Sequence, residues 1–219
     1  MAKQPRVGFT KTRLCPPFSL KQAADFYEAL LLDTLDLVGS IPDIQLAVAI
    51  TPASAIDYFK KISPTGTIFF PVDGVDIGEC LSKTSKNLFI AGFENVIALN
   101  ADGPSLPRDY IVQAVNLINE TDLVLGPGED GGYYLVALNK HSPELFQQID
   151  WSTALVLEQT LIRAKMLGLK YRLTPTWYDV DTINEVLRLK ADLSLMVSAN
   201  LVHTRSFFEQ NTGADWQAL

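Results

Sequence analysis

The sequence predicts an α/β fold in which a mostly parallel, mixed sheet carries helices on both faces, and three observations lead there. Apolar runs of strand length alternate with segments of helical period along most of the chain. Several of those runs are apolar at nearly every position, as strands covered on both faces are. The segments between them open on residues that start helices. A chain of 219 residues, 47% hydrophobic and 20% charged, has the composition of a globular protein. At that length folding buries roughly 70% of the unfolded surface. No repeat, low-complexity linker or composition break divides it, so one domain is expected over 1–199, with 200–219 as a C-terminal appendage.

Taken in order, Ser19 with Gln22 forms a capping box. Leu20, Ala24, Tyr27, Leu31, Leu35 and Val38 then recur on one face of a long helix. Strands are expected at 45-QLAVAI-50, 67-TIFFPV-72, 95-NVIALN-100, 122-DLVLG-126 and 133-YYLVAL-138, with helical patterns near 52–62, 77–90 and 107–119 between them. Ser142–Pro143 reads as N-cap and N1, a helix follows around 153–167 with Gly168 as its C-cap, a short strand lies at 169–173, and Thr182 with Glu185 opens another helix.

Charge is distributed unevenly. Residues 1–24 carry Lys3, Arg6, Lys11, Arg13 and Lys21 and no acid, a local +5 against −7 for the whole chain, which leaves −12 to the rest. That balance argues against nucleic-acid binding by the general surface and leaves an anionic small ligand open. The basic arm reads either as a solvated terminus or, with Pro5, Gly8, Pro16 and Pro17 punctuating it, as a defined loop. It lacks the apolar segment of a secretory signal, and no window reaches the ~18 apolar residues of a membrane span, so a cytoplasmic protein is expected. Cys15 and Cys80 show no metal-ligand spacing and read as plain structural thiols. His141 and His203 read as surface positions, and Trp151 and Trp177 as packing residues or as platforms for a base or sugar.

Three acidic places stand at strand ends, where ligands bind in open α/β sheets. Asp102 ends the run 95-NVIALNA-101, too far from Pro107 to cap the next helix. In 126-GPGEDGGYYLVAL-138, Asp130–Gly131 reads equally as a tight hairpin or as a backbone opened to a ligand by Gly131 and Gly132. In 177-WYDVDT-182, Asp179 and Asp181 fall two apart on an extended segment and so face one side. There they either complement the following helix N-terminus or hold a cation.

These stretches carry a resemblance. The run 2-AKQPRVGFTKTRL-14 resembles the Ala-Lys-x-Pro-x-x-Gly-x-x-Lys-Thr-Arg-Leu signature of a GT-A-like family of nucleotide-diphospho-sugar transferases, distantly similar to the 2-phospho-lactate guanylyltransferases. The elements 73-DGVDIGECL-81, 100-NADGPSLP-107, 126-GPGEDGGYYL-135, 151-WST-153 and 179-DVDT-182 follow in the family's order, so the resemblance covers residue 2 to about 190. It implies a single-domain, Rossmann-like GT-A fold and a substrate that is a nucleotide sugar or nucleoside triphosphate. It further implies phosphate and nucleotide contacts from Lys3, Gly8, Lys11, Arg13, Asp76, Gly131 and Gly132, and Mg²⁺ or Mn²⁺ on Asp102, Asp181 and Asp179. The chain departs from the pattern at Asn100-Ala101, where the family has Gly-Ser, and at Gly103, where it has Ser or Cys. The family's full first strand also has no counterpart before Ala2. Asn100 and Asp102 keep the spacing of a glycosyltransferase Asp-x-Asp with an amide in the first place.

Glycosyl transfer is the preferred expectation, with Asp130 or Glu129 as general base. Nucleotidylyl transfer, which needs no sugar base, is the alternative, although the Gly-Gly-x-Gly-x-Arg loop of sugar-phosphate nucleotidylyltransferases is absent from 1–14. A non-catalytic nucleotide-binding protein is the third.

Overall fold

The structure is a computed structural model that describes residues 1–195 and 201–211. The apolar runs become strands in two neighbouring sheets. β1 (Ala2–Lys3), β2 (Ala47–Thr51) and β3 (Ile68–Pro71) pair in that order, all parallel. β4 (Val96–Leu99), β5 (Leu123–Pro127), β6 (Tyr133–Leu138) and β7 (Tyr171–Leu173) pair in the order β4-β6-β5-β7. Only β6 is reversed, antiparallel to β4 and β5, while β5 and β7 run parallel. The Met1 ammonium donates to the Leu99 carbonyl at 2.6 Å and ties the two sheets together. A cavity of about 510 Å³ is lined by Leu46–Ala49 on the β2 side and by Val96–Leu99 of β4.

The helices are α1 (Leu20–Gly39), α2 (Ile56–Ile62), α3 (Ile77–Ile90), α4 (Arg108–Ile118), α5 (Val156–Met166), α6 (Ile183–Leu195) and α7 (Val202–Gln210). They cover both faces, and the period-2 alternation of β5 shows how. Val124 packs with Ile111, Ala114 and Ile118 of α4, whereas Leu123 and Leu125 join Leu81 of α3 and Ala164 of α5 on the opposite side. Among the described residues no helix is long and apolar enough to cross a membrane.

α7 falls inside the stretch read as an appendage, yet it packs into the core. Phe207 and Phe208 lie 5.1 and 5.9 Å, ring centroid to centroid, from Phe26 of α1. Asp33, buried in α1, accepts the backbone N–H groups of His203 and Thr204 at 3.0 and 2.8 Å and so caps α7. Two adjacent phenylalanines on a short helix need a partner surface, and α1 supplies it. The rest of that stretch, residues 200 and 212–219, lies outside the described residues.

α1 starts where the capping box places it. Ser19 accepts from the Gln22 N–H at 3.2 Å, and the Gln22 side chain accepts from the Ser19 N–H at 2.9 Å. Ser19→Ala removes one half of that exchange. It is expected to cost about 1 kcal/mol, a loss of roughly 2–4 °C in a chain of this size. Thermal denaturation checks it, and an unchanged Tm would show that packing alone fixes the start of α1.

Candidate active site

The loop after β1 reaches into the fold because its ends are fixed. Thr10 is buried, accepts the Arg6 N–H at 2.9 Å and donates its own N–H to Arg6 O at 3.1 Å, while Leu14 a turn later is fully buried. Lys11 between them takes a left-handed backbone, φ 48°, ahead of the short 3₁₀ turn Thr12–Leu14. Its side chain is only 7% exposed. Lys11 Nζ lies 2.6 Å from Asp102 Oδ1 and 2.6 Å from Asp181 Oδ1, and donates to the Val180 carbonyl at 2.7 Å. Burial disfavours the ammonium, but the charges of Asp102 and Asp181 outweigh it and raise its pKa above the ordinary lysine value.

The two acidic segments are held together by backbone. Val180 N–H donates to the Asp102 carbonyl at 2.8 Å, and Gly103 sits so close that a Cβ there would lie 3.0 Å from the Tyr178 carbonyl and 3.2 Å from Asp179 Oδ1. Val180 is fully buried, while its neighbours Asp179 and Asp181 both line the cleft described below. The two carboxylates have different surroundings. Asp181 reaches Lys11, whereas Asp179 Oδ2 accepts from Asn100 Nδ2 at 2.7 Å and its Oδ1 is buried with no hydrogen-bond partner. Burial, with the Asp102 charge next, pushes the Asp179 carboxyl up to about 7 against the pull of Lys11.

The cleft over this cluster has a volume of about 970 Å³ and opens at the carboxyl ends of β1, β2 and β4. Its walls include Lys3, Lys11, Arg13, Asp76, Asp102, Asp130, Gly132, Asp179 and Asp181, so most of the residues singled out in the sequence face one space. Lys3 and Arg13 are exposed within it. Asp76 also caps α3, accepting from the Glu79 N–H at 2.8 Å. Asp130 accepts the Gly132 N–H at 2.9 Å in the turn that joins the antiparallel strands β5 and β6, so this stretch forms a hairpin turn.

Three of those residues do not wall the cleft. Gly8 and Gly131 serve the backbone, at φ 81° and 85°. Glu129 turns outward, where Arg188 of α6 binds both its oxygens, at 2.7 and 3.1 Å, and stacks 3.8 Å over the Tyr178 ring. That pairing holds the Glu129 carboxyl below its usual pKa and leaves Asp130 as the acid of this turn that faces the cleft.

Sequence reading also passed over residues of the cleft. Tyr27 lines it and accepts the Lys3 N–H at 3.1 Å, and Cys80 lines it too. The face periodicity of α1 does not separate Tyr27 from its core neighbours, and Cys80, though inside the element 73-DGVDIGECL-81, read as a plain structural thiol. Trp151 forms part of the wall, while Trp177 packs against Tyr110 and Tyr178.

Asp102 Oδ1, Asp181 Oδ1 and the Val180 carbonyl surround one point and are all hard oxygen donors. Mg²⁺ and Mn²⁺ take such donors, usually one or two carboxylates completed by phosphates and water. Among the described residues, three acidic or histidine ligand atoms come within 4.8 Å of one another only at Asp33, Asp36 and His203. There Asp33 is already engaged in capping α7. Asp102, Asp179 and Asp181 do not all come within that distance of one another, and Asp179 is held by Asn100.

A comparison with curated proteins returned no match. A crystal structure of a candidate nucleotide-diphospho-sugar transferase from Desulfovibrio desulfuricans G20 is similar over 99% of this chain and 94% of that one, with 27% identity and a TM-score of 0.87. The fold extends to 4-diphosphocytidyl-2C-methyl-D-erythritol synthase from Anaerococcus prevotii, with a TM-score of 0.56, 12% identity and 75% and 86% of the two chains covered. It extends also to a cytidylyltransferase from Leptospira borgpetersenii, with a TM-score of 0.54, 15% identity and 84% of each chain covered. The architecture is thus the nucleotide-diphospho-sugar transferase fold. A family profile matches residues 34–153, more than half of the chain, and the chain belongs to that family, described as "Uncharacterized protein conserved in bacteria (DUF2064)".

Proposed function

We propose that the cleft is the active site of a metal-dependent glycosyltransferase, which takes a sugar from a nucleotide-diphosphate donor to an acceptor. The observation that carries this reading is the convergence of Asp102 and Asp181, from segments far apart in the chain, on a single point beside Lys3, Lys11 and Arg13. Asp102 and Asp181 would hold Mg²⁺ or Mn²⁺. Such an ion, when bound, supplies the charge that stabilises a departing diphosphate. Lys3 and Arg13 line the same cleft and neutralise phosphate oxygens, Arg13 with a fork that matches two of them. Asp130, fixed by the Gly132 N–H and exposed to the cleft, accepts the proton of the acceptor hydroxyl.

Nucleotidylyl transfer is the second reading. It is favoured by the fold shared with a chain named as a cytidylyltransferase. The products decide: nucleoside diphosphate release supports glycosyl transfer and pyrophosphate release supports nucleotidylyl transfer. Tight metal-dependent binding without turnover of any donor would instead fit a binding protein.

The site itself is tested by thermal shift with nucleotides and nucleotide sugars in Mn²⁺. A ligand at a hundred times its dissociation constant adds about 2.7 kcal/mol. Asp102→Asn is expected to abolish the metal-dependent part of that shift. An unchanged shift in the variant removes Asp102 from the site.

A further inference from the structure

We propose that Lys11 is the resident counter-ion of the Asp102–Asp181 pair, and that a divalent ion binds by displacing its ammonium, which then turns to the phosphates of the nucleotide. The inference rests on the metal-dependent reading above and adds to it an exchange of cations within the site.

The hydrogen-bond inventory of Lys11 carries the argument. An ammonium has three N–H donors and no acceptor. All three have oxygen partners here: Asp102 Oδ1 and Asp181 Oδ1 at 2.6 Å and the Val180 carbonyl at 2.7 Å. In this position Lys11 has nothing left to offer a phosphate. A hard divalent ion demands the same oxygens at about 2.0–2.2 Å, so it and the ammonium cannot both occupy the point they surround.

Access favours the ion. The Lys11 side chain is 7% exposed, while those of Asp102 and Asp181 are 33% and 44% exposed, so the carboxylates meet solvent on a side that Lys11 does not cover. The loop around Lys11 is fixed by Thr10 and Leu14, which confines the exchange to rotation of a four-carbon stem. The cleft into which the stem would turn is the one that Lys3 and Arg13 already line. A single lysine thus keeps the empty carboxylates from repelling each other and becomes available to phosphate only once metal has taken its place.

Lys11→Met tests this, with Mn²⁺ alone as the probe and free ion counted by electron paramagnetic resonance. The exposure of both carboxylates lets water take over from the lost ammonium, so the variant is expected to fold, with a lower Tm than wild type in chelator. It should bind Mn²⁺ at least tenfold more tightly than wild type and show a larger rise in Tm on saturation. A second measurement needs no variant. In ¹⁵N-lysine spectra of the wild type, the Lys11 ammonium protons should be protected from exchange in chelator and lose that protection with saturating Mg²⁺. Equal or weaker Mn²⁺ affinity in Lys11→Met, or a Lys11 signal unmoved by Mg²⁺, overturns the exchange. If Asp102→Asn loses the ion while wild type and Lys11→Met bind it equally, the metal reading stands and only the exchange falls. Absence of Mn²⁺ binding in both proteins, even with UDP present, removes both.

Discussion

In metal-free buffer Asp179→Asn is expected to stabilise the protein by an amount that grows between pH 4 and 7 and is constant above that. The carboxyl ionises at 3.8 in the unfolded chain and at about 7 in the folded one, because burial and then the Asp102 charge oppose its ionisation, with Asp130 and Asp181 adding to them and Lys11 opposing. Between those values the folded state holds a proton that the unfolded state has lost, so stability falls as pH rises through the window. Each unit of difference is worth about 1.4 kcal/mol, so the accumulated penalty by pH 8 is roughly 4 kcal/mol, or about 8–16 °C in Tm. Asparagine has no charge to desolvate and keeps an oxygen for the 2.7 Å bond from Asn100 Nδ2. Wild type and variant melted in parallel from pH 4 to 8 isolate the effect of Asp179 together with its coupling to Asp102, Lys11, Asp130 and Asp181, since groups remote from it titrate equally in both. A difference in Tm that does not change with pH would show that Asp179 is already ionised in the folded protein.

Asp179 also marks the limit of what the sequence discloses. Two acids two residues apart on an extended segment read as facing one side, and both line the cleft, with Val180 buried between them. Their separate surroundings depend on Asn100, 79 residues away, and Lys11, 170 residues away. No local spacing encodes contacts of that range. The same division holds for the rest of the molecule. Strand–helix alternation, the Ser19 box and the placement of acids at strand ends are local or periodic and could be read directly. The inward packing of α7 depends on Phe26 of α1, and the outward turn of Glu129 on Arg188 of α6, and both are visible only once distant elements meet. Asn100 shows this most plainly. By spacing it stands in for a metal-binding carboxylate, and in the fold it holds a neighbouring carboxylate in place.

Gly131→Ala is expected to be highly damaging for so small a substitution, although Gly131 lies behind the cleft wall rather than in it. Residue 131 has φ 85°, where an L side chain costs roughly 1–2 kcal/mol. A Cβ there would also lie 2.2 Å from the Ala154 carbonyl oxygen and 2.8 Å from its carbon, and both are backbone atoms that no rotamer can move aside. Relieving the overlap separates the β5–β6 turn from the segment leading into α5. That strains the bond from Leu157 N–H to the Gly131 carbonyl, now 2.9 Å. Overpacking of roughly 1–3 kcal/mol and a weakened hydrogen bond of about 1 kcal/mol add to the backbone cost, for a total of roughly 3–6 kcal/mol. The displaced parts, Asp130 and Gly132 on one side and Ser152 to Ala154 on the other, are walls of the cleft, so nucleotide binding should weaken along with stability. Gly168→Ala is the control, because Gly168 shares a positive φ, 66°, and has nothing within 4 Å of the added carbon. Urea denaturation of the two variants separates backbone conformation from close approach. If Gly131→Ala loses no more stability than Gly168→Ala, the turn can yield, and the contact between Gly131 and Ala154 does not fix the shape of the cleft.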